Sequence, residues 1–198
     1  MISKAWLLHI SLLAFWGEIS SQGCSHLRSR LQRANKNNLE LLDHKPGSTI
    51  SQQCIGDIVS FSPNEDSLQN IDVSDEENAK LAVKEILQQT GHIFTQNHTQ
   101  LSWDENTMRA FQAGLDQQIQ NLERCLSASP RSQRMQITRL RVKRYFQKLR
   151  DLLKEKEHSQ CAWEIVWIQL KAHSPMAQGD LGCHGAPKPF RFHRWPPS

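Results

Sequence analysis

The chain lacks the common signatures of catalysis. It has no glycine-rich phosphate loop, no Gly-x-Ser-x-Gly, no His-Glu-x-x-His and no Cys-x-x-Cys pair. Their absence removes the motif-borne nucleotide enzymes, hydrolases, zinc proteases and dithiol redox proteins. The nine histidines are dispersed, and Cys183, His184 and His193 follow no recognised zinc spacing, so no metal or other cofactor is expected. No stretch reads convincingly as a strand, and no segment repeats. After the first residues no apolar run is long enough to cross a bilayer, so membrane insertion is not expected. There is no nucleic-acid-binding module, and a formal charge of only +4 gives nucleic acid little reason to bind.

Secretion itself is read from the start of the chain. Lys4 precedes the apolar run Ala5–Trp16, which is too short to span a membrane, and Ser20, Ser21, Gln22 and Gly23 follow it. This pattern predicts a cleaved secretory signal over residues 1–23 and an extracellular mature protein. The five cysteines, Cys24, Cys54, Cys125, Cys161 and Cys183, are then exposed to an oxidising compartment. Four of them would pair and one would be left over. Four cysteines allow three pairings, and spacing does not choose among them.

Charge is unevenly placed. Asn64–Asn78 carries Glu65, Asp66, Asp72, Asp75, Glu76 and Glu77 with no basic residue. Arg131–Arg150 carries Arg131, Arg134, Arg139, Arg141, Lys143, Arg144, Lys148 and Arg150 with no acid. The folded molecule should have an acidic and a basic region.

Apolar residues recur at helical spacing in five segments. The first runs from about His26 to Asp43, with Leu27, Leu31, Ala34, Leu41 and Leu42 on one face, and Lys45-Pro46-Gly47 stops it. Thr49–Ser74 shows no sustained period, and Cys54 pins it as an ordered loop. The second helix opens on a capping box at Ser74-Asp75-Glu76-Glu77 and carries Ala79, Ala82, Val83, Ile86, Leu87 and Phe94. The third opens on Ser102-Trp103-Asp104-Glu105 and has the most regular stripe, Met108, Phe111, Leu115, Ile119, Leu122 and Leu126. The fourth, about Gln133–Lys156, buries Val142, Tyr145, Phe146, Leu149, Leu152 and Leu153 beneath basic flanks. Ser159 caps the fifth, which is apolar almost all round from Ala162 to Leu170 and extends to about His173. The helical domain therefore spans residues 24–173. Asn97-His98-Thr99 between the second and third helices is a glycosylation sequon at Asn97. Beyond it, Ser174–Ser198 is rich in proline and glycine, and regular structure is not expected there.

Two stretches carry a family resemblance. Cys161-Ala162-Trp163-Glu164, followed by Ile165-Val166 and preceded by Tyr145-Phe146 and Leu153-Lys154-Glu155-Lys156, resembles the C-terminal signature of the type I interferons. Gly114-Leu115-Asp116-Gln117-Gln118, with Leu122, Cys125 and Leu126, is similar to the same family, most closely its kappa branch. The resemblance implies an all-α, five-helix up-up-down-down cytokine bundle with a long overhand loop after the first helix. It implies the pairs Cys24–Cys125 and Cys54–Cys161, each closing a loop worth ~4–5 kcal/mol in the chain-entropy model, and leaves Cys183 free. Trp163 becomes a core residue beside Tyr145, Phe111 and Leu115.

In function the resemblance implies an antiviral, monomeric cytokine that bridges the two chains of the type I interferon receptor and activates Janus kinase and STAT signalling. The first helix, the loop and the last helix would face one chain through Leu39, Leu42, Asp57, Ile58, Trp167 and Lys171. The middle helices would face the other through Arg109, Gln112 and Gln117. The basic region Arg131–Arg150 also suits heparan sulfate. Ile58, Trp167 and the tail depart from the family pattern. A secreted helical binding protein or non-signalling receptor decoy is the rival reading of those departures.

Overall fold

In a computed structural model of the 198-residue chain, the described residues are 24–43, 51–61, 68, 71, 74–95, 104–127 and 132–173. The signal segment, Asn97, Cys183 and the tail lie outside them. All described elements are helical: α1 (Leu27–Asp43), a 3-10 turn (Gln52–Cys54), α2 (Ile55–Ser60), α3 (Glu76–Phe94), α4 (Glu105–Cys125), α5 (Gln133–Glu155) and α6 (Gln160–His173). The five long helices follow the five periodic segments. The six-residue α2 has no periodic signal because it is too short to develop one.

The helix starts differ in detail from the capping boxes. α3 is capped by Asp75, whose Oδ1 accepts from the Asn78 amide at 2.7 Å, rather than by Ser74. Glu77 therefore misses the position from which it would close a box, and it reaches across to α4 instead. α4 is capped by Asp104, which accepts the Thr107 amide at 2.9 Å and its hydroxyl at 2.6 Å. Ser132 caps α5 through the Met135 amide, and Ser159 accepts the Ala162 amide at 3.4 Å. Between α5 and α6, Glu157 and His158 take positive φ of 50° and 56°, reversing the chain in a tight left-handed turn.

Residue pairs give the helix directions. Cys24, just before α1, is bonded to Cys125 at the end of α4, and Asn38 farther along α1 packs on Gly114, so α1 and α4 are antiparallel. Lys84 pairs with Glu123, and Phe94 meets Phe111 edge-on at 5.0 Å, so α3 and α4 are antiparallel too. Arg139 reaches Glu85 while Arg150 reaches Gln89, which sets α5 parallel to α3. The Tyr145 hydroxyl donates to Gln169 at 2.9 Å, with α6 returning antiparallel to α5. Thus α1, α3, α4 and α6 run up, up, down, down, and α5 is an additional up helix inserted beside α3.

The core collects the apolar stripes. Val142, Tyr145, Phe146, Leu149 and Leu153 of α5, with Phe111, Leu115 and Leu122 of α4, are buried. Ala162, Trp163, Ile165 and Val166 of α6 are buried in succession, and Trp163 stacks on Phe94 at 5.8 Å. α1 differs from its expected stripe: Leu27, Leu31, Asn35, Asn38 and Leu42 face inward, and Leu41 is 36% exposed. The four- and three-residue steps from Leu27 to Leu42 pass through two asparagines and leave Leu41 at the edge.

α3 is as central as α6, because it buries polar residues as well as apolar ones. Glu85 accepts from Gln89 within the helix and pairs with Arg139 at 3.2 Å. Lys80 binds Glu76 at 2.7 Å, Glu77 at 2.9 Å and the Cys125 carbonyl at 3.1 Å. Burial alone would lower the Lys80 pKa, but the two carboxylates outweigh it and hold the ammonium above its ordinary value. Glu77 also accepts from the Ser127 amide and hydroxyl at 2.7 and 2.9 Å. For Glu77 too burial opposes the charge, and the bonds from Lys80 and Ser127 prevail, so its pKa is lowered. Among the described residues no helix is long and apolar enough to cross a membrane.

Candidate functional site

A small loop domain is built against the last helix. Ser51 has extended backbone, and the 3-10 turn and α2 follow it directly. Glu164 on α6 is 1% exposed and accepts three hydrogen bonds: the Ser51 amide at 2.9 Å, the Ser51 hydroxyl at 2.6 Å and the Gln160 amide group at 3.0 Å. A buried acceptor needs such donors, and here two come from 113 residues away in sequence. Cys54 is bonded to Cys161 with Cα atoms 5.1 Å apart. Beyond it, the Lys156 ammonium meets the Asp57 carboxylate at 2.8 Å.

Residues nominated for contact on this side separate into surface and interior. Asp57 and Ile58 lie on α2, partly exposed, and Leu39 packs partly buried against the core. Lys171 is partly exposed, with its ammonium 5.5 Å from the centre of the Trp167 ring. Leu42 and Trp167, expected at the contact, are instead interior, 0% and 5% exposed, and cannot meet a partner in this conformation. Leu42 belongs to the inward stripe of α1. Trp167 lies one turn beyond Trp163 on a helix buried nearly all round. Trp167, Leu39, Asn35, Asn38 and Thr90 line a small cavity of about 40 Å³. Ile55, at the head of α2, is 49% exposed and is the most accessible apolar side chain among the described residues of the loop. Only its neighbour Cys54 hinted at it in sequence.

The second group lies elsewhere. Arg109 and Gln117 are exposed on α4 and Gln112 is half-buried, with Arg109 paired to Glu105 at 3.0 Å. α4 packs on α1 and α3, whereas α2 packs on α6, so Asp57 and Ile58 are carried by different elements from Arg109, Gln112 and Gln117, while Leu39 lies on α1, which packs on α4. A third feature is an open groove between α3 and α5, lined by His92, Leu140, Lys143, Arg144 and Arg150 among others. In it the Arg150 guanidinium donates to the neutral side-chain oxygens of Gln89 and Gln147 at 2.9 Å each. No cluster of possible metal ligands occurs among the described residues.

Comparison with known proteins fits this arrangement. The family model for the interferon alpha/beta domain matches residues 27–177. Interferon tau-9 of Ovis aries is 31% identical over 169 residues, covering 83% of this chain and 85% of the relative. Human interferon kappa is 30% identical over 188 residues, covering 86% and 89%. The solved structure of zebrafish interferon 2 superimposes with a TM-score of 0.57 at 22% identity, covering 70% of this chain and 91% of that one, which shows a shared fold.

Proposed function

The chain belongs to the interferon alpha/beta family, whose members are antiviral cytokines rather than enzymes, and we propose that it is a secreted agonist that bridges the two chains of the type I interferon receptor. One chain would be met by α1, the loop around α2 and α6, through Leu39, Ile55, Asp57, Ile58 and Lys171. The other would be met by α4 and its neighbours, through Arg109, Gln112 and Gln117. Once the first chain is bound, the second meets the ligand in the plane of a membrane at high effective concentration, so the second contact need not be strong. Bridging brings the receptor-associated Janus kinases together and activates STAT-dependent antiviral genes. Segment 1–23 would direct secretion and be removed, and Asn97 would carry a glycan.

The observation that supports this best is the attachment of the loop to α6. It holds a half-exposed isoleucine next to charged groups on an element tied down by a disulfide, a mixed apolar and polar surface of the kind an interface buries. The test is a reporter assay: mature protein added to cells of the source species carrying an interferon-response reporter. The reading predicts a dose-dependent signal that a receptor-blocking antibody abolishes. A saturating dose without signal overturns agonism, and binding of a single chain without signal would identify a decoy.

The basic groove favours a second partner, heparan sulfate. Arg150 is held by neutral groups, so its charge stays available to a sulfate, and Lys143 and Arg144 flank it. Retention on heparin should fall steeply with salt and drop in Lys143→Ala/Arg144→Ala. Retention unchanged by that pair would remove the groove from consideration.

A further inference from the structure

The three contacts that tie the loop to the C-terminal hairpin share one register. Ser51 meets Glu164, Cys54 meets Cys161 and Asp57 meets Lys156, so the loop advances as the other segment retreats. The disulfide is the middle rung. By itself a disulfide fixes a separation but leaves rotation about its bonds, and α2 could swing on it. A contact on each side of the pivot removes that freedom.

The two outer rungs are unequal. The side chains of Asp57 and Lys156 are each about a third exposed, 38% and 33%, so water and salt weaken their attraction. Glu164 is buried, and Ser51 supplies two of its three donors. The Ser51 amide stands at the N-cap of the 3-10 turn. A break at this rung leaves the buried Glu164 carboxylate with Gln160 as its one remaining donor.

We propose that Glu164 is a positioning residue: by holding Ser51 it fixes the rotation of α2 about the Cys54–Cys161 bond and thereby sets how Ile55, Asp57 and Ile58 are presented to a partner. This deepens the receptor reading and rests on it for the identity of the partner. The effect is confined to the receptor chain that meets the loop, because α4 packs on other elements. The rung acts by preorganisation, so its loss shows as weaker binding without loss of any contacting side chain.

The test compares Ser51→Ala, Glu164→Gln and the double variant in two measurements. The first is surface plasmon resonance against each immobilised receptor ectodomain separately. Glu164→Gln is expected to raise Kd for the loop-facing chain roughly tenfold, the factor an ordinary hydrogen bond confers. Ser51→Ala is expected to act in the same direction with a smaller factor. The double variant should lose less than the sum of the two single losses, since both changes act on the Ser51–Glu164 contact, while the bond the Ser51 hydroxyl accepts from Gln160 at 3.2 Å is lost only with Ser51→Ala. The other chain should bind within about twofold of wild type. Equal losses on both chains, or additive losses in the double variant, overturn the proposal. The second measurement is amide hydrogen exchange over residues 52–61, expected to accelerate in both single variants. Ser51→Ala removes only a half-buried hydroxyl and keeps the test available if Glu164→Gln does not fold. If wild type binds neither chain, the receptor reading fails while exchange still decides: unchanged protection of 52–61 refutes the positioning role.

Discussion

Asn38 of α1 packs its carboxamide so closely on Gly114 of α4 that no side chain fits between them. A Cβ on Gly114 would stand 2.8 Å from the Asn38 Cγ and 2.9 Å from its Nδ2. Helix propensity alone favours alanine over glycine by about 1 kcal/mol, but forcing a methyl group into a filled contact costs about 1–3 kcal/mol. Gly114→Ala is therefore expected to destabilise by up to about 2 kcal/mol in denaturant unfolding, the difference between these terms. Asn38→Ala in the same chain should restore most of the loss, because the buried Asn38 Nδ2 makes no hydrogen bond that would be given up. Gly91 is the control. A Cβ there meets only Leu115 at 3.7 Å, so Gly91→Ala should stabilise by about 0.5–1 kcal/mol.

The Glu77 contacts predict an acid-dependent effect. Its folded pKa is depressed, so its contribution is complete above the unfolded-state value near ~4.3 and fades as pH falls through the lower folded value. Thermal unfolding of Glu77→Gln should show a lower Tm than wild type at pH 7. The gap should narrow progressively below about pH 4. A gap independent of pH down to acid would show that Glu77 acts by packing alone.

Leu39 and Leu42 separate surface from interior. Leu42→Ala opens a cavity in the core and should cost about 2–5 kcal/mol in chemical denaturation. Leu39, only partly buried, should cost clearly less and weaken binding to the loop-facing receptor chain more than stability explains. The reverse order would contradict the placement of α1.

The two disulfides close loops of similar length, with separations of 101 and 107 residues. Removing either pair should lower stability by a similar amount, about 2–5 kcal/mol. Their functional effects should differ. Loss of Cys54–Cys161 releases the loop from α6 and should reduce binding to the loop-facing chain. Loss of Cys24–Cys125 frees only the start of α1 and should leave the affinity of the remaining folded fraction nearly unchanged, as measured by titration of active protein.

What sequence could reveal follows from the range of the forces involved. The stripes of α3, α4 and α5 are local repeats, and Met108, Phe111, Leu115, Tyr145 and Phe146 went to the interior as their spacing requires. Caps were legible to within one or two residues, since Asp75 and Asp104 compete with the serines beside them for the same orphan amides. Burial of Lys80, Glu85, Asn35 and Asn38 was not legible, because a polar residue on an inward face is admitted only by partners that lie on other helices. Trp167 is expected from the sequence to face a partner, and only the packing of α6 turns it inward. The Ser51–Glu164 contact joins residues 113 apart in sequence with no shared pattern. Neither periodicity nor a motif connects such a pair, although Glu164 itself lay in the most recognisable stretch of the chain.

On this reading one molecule holds two different receptor chains at once. Sedimentation velocity of the mature protein with both receptor ectodomains tests it most directly. A single one-to-one-to-one complex is expected, in which Ile55→Ala weakens capture of the loop-facing chain and Arg109→Ala weakens capture of the other. A mixture that yields only binary complexes with one chain, or none at all, would contradict it.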